Sequence, residues 1–412
     1  MLGFAINIFI LCCFKYLAFL VANLNEAFEI LQFPINLSVP QLLLPLGLSF
    51  IIFQATTYLG DVYHGKVQAT DILSVACFVA FFPTILSGPI QKANKLILQL
   101  QFDSKWNKEK FVYGLLLLLC GYFEKIFVAD KLAAIVDPVL NNYINYSAVF
   151  LILAAALYSI QIYVDFLAYS DLATGISAML GVTLSKNFSN PYLSENLVEF
   201  WKNWHISLNE WFVEYIYIPL GGSRRGYIRK YLNTFIVFTI SGLWHGAQWN
   251  FVAWGAINGL LQIVGQVIRK PKEIIMSCFF KEKTNSVILP WCRRLIVFII
   301  ISTTWIFFRM PTLEDAFNVL HKICYQSWIQ IFDQNGWMIF GTIQSAVGIL
   351  LSLIIFLKLQ MARREEEKIV NVFCKEAGFV QQLVIAVAWV IILICLCQQF
   401  TNPNNTFIYF QF

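Results

Sequence analysis

The chain has 412 residues, 58% hydrophobic and only 13% charged, with a formal net charge of +5 and a mean hydropathy of +0.66. A soluble domain of this size needs far more charge to cover its surface, and so small a net charge makes no case for a nucleic-acid partner. The expectation is an all-α, polytopic protein of the cell membrane, with one membrane-embedded domain over residues 1–412, because apolar runs of about 18 residues or more recur along it.

Apolar segments fall at 1–22, 42–62, 72–91, 111–136, 149–183, 233–268, 286–308, 338–357 and 380–400. The first opens without a basic n-region or a small-residue cleavage site, so no cleavable signal is expected. Basic residues gather at 92–110 (Lys92, Lys95, Lys105, Lys108, Lys110), at 269–294 and at 358–375, which read as cytoplasmic. The stretches 23–41 and 137–148, without Lys or Arg, and 310–336, with Lys322 alone, read as outside. Segments 42–62 and 72–91 must then join an outside loop to an inside one, which two complete crossings cannot do. One is expected to be broken or re-entrant, and both carry the means. "LPLGLSF" holds Pro45 and Gly47; "FFPTILSGPI" holds Pro83, Gly88 and Pro89. Backbone freed at such a break persists only inside protein or along a water-filled cavity, which predicts a polar interior.

Farther along, "IQIYVDFLAYSDLATG" puts Asp165, Ser170 and Asp171 in an apolar run. Ionisable groups in spans are functional candidates by default; a buried helix-to-helix hydrogen bond through Asp165 accounts for it equally well. Residues 196–226 read as a helix with Trp201, Trp204, Leu208, Trp211 and Tyr215 on one face and Lys202, Asn209, Glu210 and Val213 nearer the other. So many Trp and Tyr suit an interfacial or cavity-lining helix. His205 falls on its apolar flank, where a core histidine with one hydrogen bond is the plainer account. Parity makes 233–268 a tight pair of helices, which puts His245 of "SGLWHGAQWNF" roughly 18 Å from the cytoplasmic end of a ~30 Å core. Of ten cysteines none forms a C-x-x-C pair, and most sit in apolar runs where packing is the expected role. The four histidines (64, 205, 245, 321) show no ligand spacing on one helix, so no metal site is expected.

Together, "LPLGLSFIIFQATTYLGDVYHG", "FFPTILSGPIQ", "YVDFLAYSDLATG", "NFSNPYLSENLVEFWKNWHISLNEWFVEYIYIPLGGSRRG", "SGLWHGAQWNFVAWG" and the closing "FIYFQF" resemble the membrane-bound O-acyltransferases, in their bacterial alginate O-acetylase-like branch. The resemblance implies broken or re-entrant helices around a central tunnel, His245 as the active-site histidine and His205 as the second signature histidine. It also implies acyl transfer, acetyl by expectation, from cytoplasmic acyl-CoA as a co-substrate, with no bound cofactor, to an extracytoplasmic polysaccharide hydroxyl. An extracytoplasmic acetyltransferase partner would complete delivery. Relatives carry further N-terminal spans, so this chain is expected to lack some of them.

That assignment is chemically sensible. A base must take the hydroxyl proton and return it to the leaving thiol, and imidazole, with an ordinary pKa near 6.5, suits both; apolar burial disfavours its charged form. Asp165, Ser170, Asp171, Trp204, Trp244 and Asn250 are candidate tunnel or substrate residues. Arg224, Arg225, Arg229 and Lys230, after the "PLGGS" turn, could meet coenzyme A phosphates, or simply mark the cytoplasmic side. "FIYFQF" is an F-x-Y-x-x-F pattern resembling that of acyl-carrying peptides in teichoic acid D-alanylation. Tyr409 is therefore a candidate acyl relay, with an interfacial aromatic anchor as the alternative. A cysteine or serine nucleophile is the weaker option. Runners-up for the function are D-alanyl transfer to teichoic acid and a transporter or flippase, which broken helices and a buried Asp165 would also suit.

Overall fold

The computed structural model describes residues 2–40, 42–101, 106–279, 288–326, 343–362, 378–401 and 407–408, and every regular element among them is helical. α1 (Leu2–Ile30) is a continuous apolar helix with a π turn at Cys12–Tyr16. α2 (Leu48–Tyr63) starts after Gly47. There φ is +72°, and a Cβ would run into the Ile85 carbonyl oxygen, so the position needs glycine on two counts.

α3 (Ile72–Val79) is capped by Asp71, whose carboxylate accepts from the Ser74 amide at 2.9 Å. It lasts 8 residues, far short of a ~30 Å core at 1.5 Å per residue. The chain then runs through residues 80–92 without helix. Both stretches able to break are interrupted: residues 42–47 precede α2 without helix, and 72–91 leaves the helix after Val79. Ser87, Gly88, Pro89, Ile90 and Gln91 are all buried, so the freed backbone is enclosed by protein, as a lipid-embedded break requires. α4 (Ala93–Gln101) follows.

α5 (Lys108–Asn141), with a π turn at Glu124–Ala129, and α6 (Ala148–Met179) form the central pair. They approach closely where Gly114 meets Gly175, each glycine lying against the other's carbonyl oxygen. α6 is apolar all round and is the most enclosed of the long helices, as such a helix must be.

Residues 196–226 do not form the single amphipathic helix that their spacing predicts. α7 (Leu197–Asn203) and α8 (Ile206–Phe212) are separated by Trp204 and His205, and His205 adopts a left-handed φ of +45°. The Asn209 amide donates back to the carbonyls of Trp201 and Trp204, the latter at 2.6 Å, and so replaces helix bonds lost at the break. The aromatic face is split accordingly. Trp211 stacks on Phe53 of α2 at 3.9 Å, whereas Trp201 and Trp204 turn toward Trp305, at 6.1 and 5.1 Å.

α9 (Tyr227–His245) and α10 (Trp249–Phe279) are the expected tight pair. A Cβ on Gly242 would strike the Phe251 carbonyl oxygen, and one on Gly255 that of Phe238. α11 (Ile288–Arg309), α12 (Leu313–Tyr325), α13 (Ile343–Ala362) and α14 (Phe379–Thr401) complete the described elements. Among the described residues five helical stretches are long and apolar enough to cross a membrane: α1, α5, α6, the Trp249–Ile268 part of α10, and α11. The protein is an all-α polytopic membrane protein.

Candidate functional site

His245 is the last residue of α9 and His205 the residue before α8. Both are buried, at 6% and 2% exposure, and both line one narrow cavity with Trp201, Trp204, Leu208, Asn209, Phe212, Val237, Phe238, Ser241 and Trp254. Its free volume is about 30 Å³, space for about one water molecule. The polar groups of the lining residues are few: two imidazoles, the Asn209 amide, the Ser241 hydroxyl and the indole N–H groups of Trp201, Trp204 and Trp254.

Rings pack tightly around each histidine. Trp244, Trp254 and Phe308 stand edge-on to His245 at 4.8, 5.4 and 5.2 Å between ring centres. Phe166 stands edge-on to His205 at 4.7 Å. Behind them Trp254 stacks on Trp305 at 5.4 Å. Such a shell excludes bulk water and strengthens any electrostatic interaction inside it.

The far end of α9 is held from α1. The Lys15 ammonium, in the π turn, donates to the carbonyl oxygens of Trp244 and, at 3.3 Å, His245; the Tyr16 hydroxyl donates to that of Leu243 at 3.1 Å. These are the terminal carbonyls that a helix leaves without partners, at the end where a cation is favoured. His205 is held differently. Its Nδ1 lies 3.1 Å from Asn187 Oδ1, which also accepts from the Ser207 hydroxyl at 2.8 Å. Ser207 in turn accepts from the Ile90 amide, in the broken segment, at 3.0 Å.

A second, larger cavity of about 330 Å³ has Lys110, Tyr113, Tyr163, Ser170, Asp171, Thr174, Lys186 and Asn187 in its wall. Asn187 thus borders this cavity while bonded to a histidine of the other. Among the described residues no three or more His, Cys, Asp and Glu side chains converge as a metal site would need. His64 ends α2 and His321 packs on Tyr325 at 4.7 Å, both away from the cavity.

The other candidates separate. Trp204 lines the narrow cavity, and Ser170 and Asp171 the larger one. Trp244 stacks on Phe53 at 4.9 Å, and the Asn250 amide donates to the Met310 carbonyl at 2.8 Å; neither borders either of these two cavities. Asp165 borders neither. Its Oδ1 pairs with Lys125 at 2.8 Å, and Lys125 pairs with Asp130 at 2.9 Å. Its Oδ2 accepts from the Ile408 amide at 2.8 Å. Of the two readings of Asp165, the buried bond between elements is the one seen. Arg224 and Arg225 are exposed, Arg229 closes the turn through the Leu220 carbonyl at 3.1 Å, and Lys230 lies over the Tyr231 ring; none borders either cavity. Tyr409 lies outside the described residues, two positions beyond Phe407, which packs on Lys125 at 4.5 Å.

Sequence reasoning missed Lys15, Tyr16, Asn187, Ser207 and Ser241. Only Ser241 had a local signal, standing four residues before His245 on the same helix and hence on the same face.

The model of the membrane-bound O-acyltransferase family matches residues 8–308. A probable alginate O-acetylase of Azotobacter vinelandii is 34% identical over 322 residues, 77% of this chain and 61% of the relative. A peptidoglycan O-acetyltransferase of Helicobacter pylori is 32% identical over 346 residues, 77% of this chain and 63% of the relative. A teichoic acid D-alanyltransferase of Bacillus subtilis is more distant, 27% identical over 257 residues, 58% of this chain and 60% of the relative. The chain therefore spans about three-fifths of the length of these relatives.

Proposed function

This chain belongs to the membrane-bound O-acyltransferase family, and we propose that it moves an acetyl group from cytoplasmic acetyl-CoA toward a hydroxyl of an extracytoplasmic polysaccharide. The observation that carries this reading is the narrow cavity bordered by both His205 and His245. His245 acts as general base: its ring takes the hydroxyl proton as the oxygen attacks the thioester carbonyl carbon. The tetrahedral intermediate then collapses, the carbon–sulfur bond breaks, and the imidazolium returns the proton to the thiolate. An aromatic wall that keeps bulk water out protects the thioester from hydrolysis.

Acetyl rather than D-alanyl is favoured by the closer likeness to relatives named as O-acetylases. The larger cavity, with Lys110 and Lys186 in its wall, suits the donor's polar portion. An extracytoplasmic acetyltransferase partner belongs to the same proposal, as does Tyr409 as an intermediate acyl carrier. Supporting the carrier role, Ile408 is buried and bonded to Asp165, so the stretch just before Tyr409 enters the protein body.

The test uses the full chain in proteoliposomes given acetyl-CoA with a radiolabelled acetyl group. Covalent label on protein or added polysaccharide is expected, and its loss in folded His245→Ala. Label that persists in His245→Ala removes the general-base role, and uptake of intact substrate without covalent label points to a transporter.

A further inference from the structure

A backbone amide can only donate, so the Ile90 N–H at 3.0 Å makes Ser207 Oγ an acceptor on that side. The Ser207 proton is then directed to Asn187, 2.8 Å away. The Asn187 atom facing Ser207 is therefore its oxygen, and its NH₂ turns the other way to donate to Ser170 Oγ at 3.2 Å. Asn187 is also held by its main chain, whose carbonyl accepts from the Ile206 amide at 2.9 Å. The same side-chain oxygen stands 3.1 Å from His205 Nδ1. Two acceptors do not bond, so Nδ1 must carry a proton.

We infer that Asn187, oriented by Ser207 and the Ile90 amide, fixes the neutral His205 ring as the Nδ1–H tautomer, so that Nε2 offers a lone pair to the cavity His205 shares with His245. Nδ1 is turned to Asn187, which does not border that cavity, so Nε2 is the ring nitrogen left to serve it. Asn187 and Ser207 are positioning residues acting through His205. This rests on the proposed transfer and narrows it. A ring whose cavity-side nitrogen is an acceptor cannot donate a hydrogen bond to a thioester carbonyl oxygen; it can receive one from a hydroxyl. His205 therefore holds the acceptor through a hydroxyl next to the attacking one, whose own proton goes to His245. The broken segment then does chemistry at a distance, because a helical residue 90 would spend its N–H within the helix.

Reversing the Asn187 amide would turn Nδ1 into an acceptor and move the proton to Nε2, so the two arrangements predict opposite tautomers. The test is solid-state NMR of ¹⁵N-histidine-labelled protein in lipid, with the His205 signals identified by their loss in His205→Gln among only four histidines. Wild type should show Nδ1 protonated; Asn187→Leu should populate Nε2–H, and Asn187→Asp, which keeps an acceptor oxygen, should restore Nδ1–H. Ser207→Ala, the gentler change, should give a mixture. In acetyl transfer Asn187→Leu should lower kcat roughly 10- to 100-fold, taking as guide the loss of a partner that orients a metal-bound histidine. Donor KM should stay within about twofold, the signature of an interaction made in the transition state. A wild-type Nε2–H signal, or one unchanged in Asn187→Leu, overturns the inference. If no acetyl transfer is found in wild type while the Nδ1–H signal holds, the functional reading fails and the tautomer assignment survives.

Discussion

Two groups of buried polar side chains lie in this protein, and they are satisfied in opposite ways. Between α5 and α6, Lys125 is flanked by Asp130 and Asp165 at 2.9 and 2.8 Å, and the Ile408 amide closes the cluster. Around the histidines the neighbours are an amide, a hydroxyl and aromatic edges, with one ammonium, that of Lys15, on the main-chain carbonyl of His245 rather than on a carboxylate. Full charges inside a membrane protein persist where opposite charges offset their desolvation. A charge-paired cluster bordering neither cavity is structural in character, whereas neutral imidazoles facing a cavity keep the capacity to take up a proton. The contrast separates what holds the protein together from what the proposed reaction uses.

The largest expected effect falls on the first group. Lys125→Met leaves two buried carboxylates without their cation and should cost about 3–5 kcal/mol, read as a fall in Tm or loss of folded protein in detergent. Adding Asp165→Leu should recover part of the loss. Normal stability of Lys125→Met would erase the distinction drawn above. Next in size is Lys15→Met, which strips the terminal carbonyls of α9 of their donor at a cost of about 1–3 kcal/mol. Its transfer rate should fall more than its stability predicts, because the displaced helix end carries His245, and Lys15→Arg should recover most of both. Equal losses in the Met and Arg variants would mean that the ammonium is not what holds that end. The smallest effect is expected at Ser241, whose hydroxyl borders the narrow cavity. If His245 activates the acceptor directly, Ser241→Ala should change kcat by no more than about twofold, against the 10²–10⁴-fold usual for a lost general base. A loss in that larger range would make Ser241 a covalent carrier instead.

How much of this could be read from residues alone depended on whether the signal was local. Apolar lengths predicted the five membrane-crossing stretches among the described residues, and parity asked for a break in 42–62 or 72–91, both of which are interrupted. His205 and His245 stood out because a polar ring in an aromatic, apolar run is unusual. The split at His205 was hidden, because Trp201, Trp204, Leu208 and Trp211 keep helical spacing straight through it. What ends α7 is a left-handed backbone and an amide from Asn209, neither of which disturbs the pattern. Asn187 and Lys15 were invisible for another reason. One lies 18 residues from its histidine and the other 230, and nothing in the intervening sequence encodes the contact. Asp165 was ambiguous until its partner Lys125, 40 residues away, was found beside it.

The central claim is that the chemistry takes place in the cavity shared by His205 and His245. The most direct measurement is an electron cryo-microscopy map of the full chain in lipid nanodiscs with an acetyl-CoA analogue whose thioester sulfur is replaced by methylene. The account predicts the analogue's carbonyl in this cavity beside His245 and Trp254, leaving the His205 side for the acceptor, with the rest of the molecule extending into the cavity bordered by Lys110 and Lys186. A saturated complex with the carbonyl elsewhere, and the histidine cavity unchanged, would contradict it.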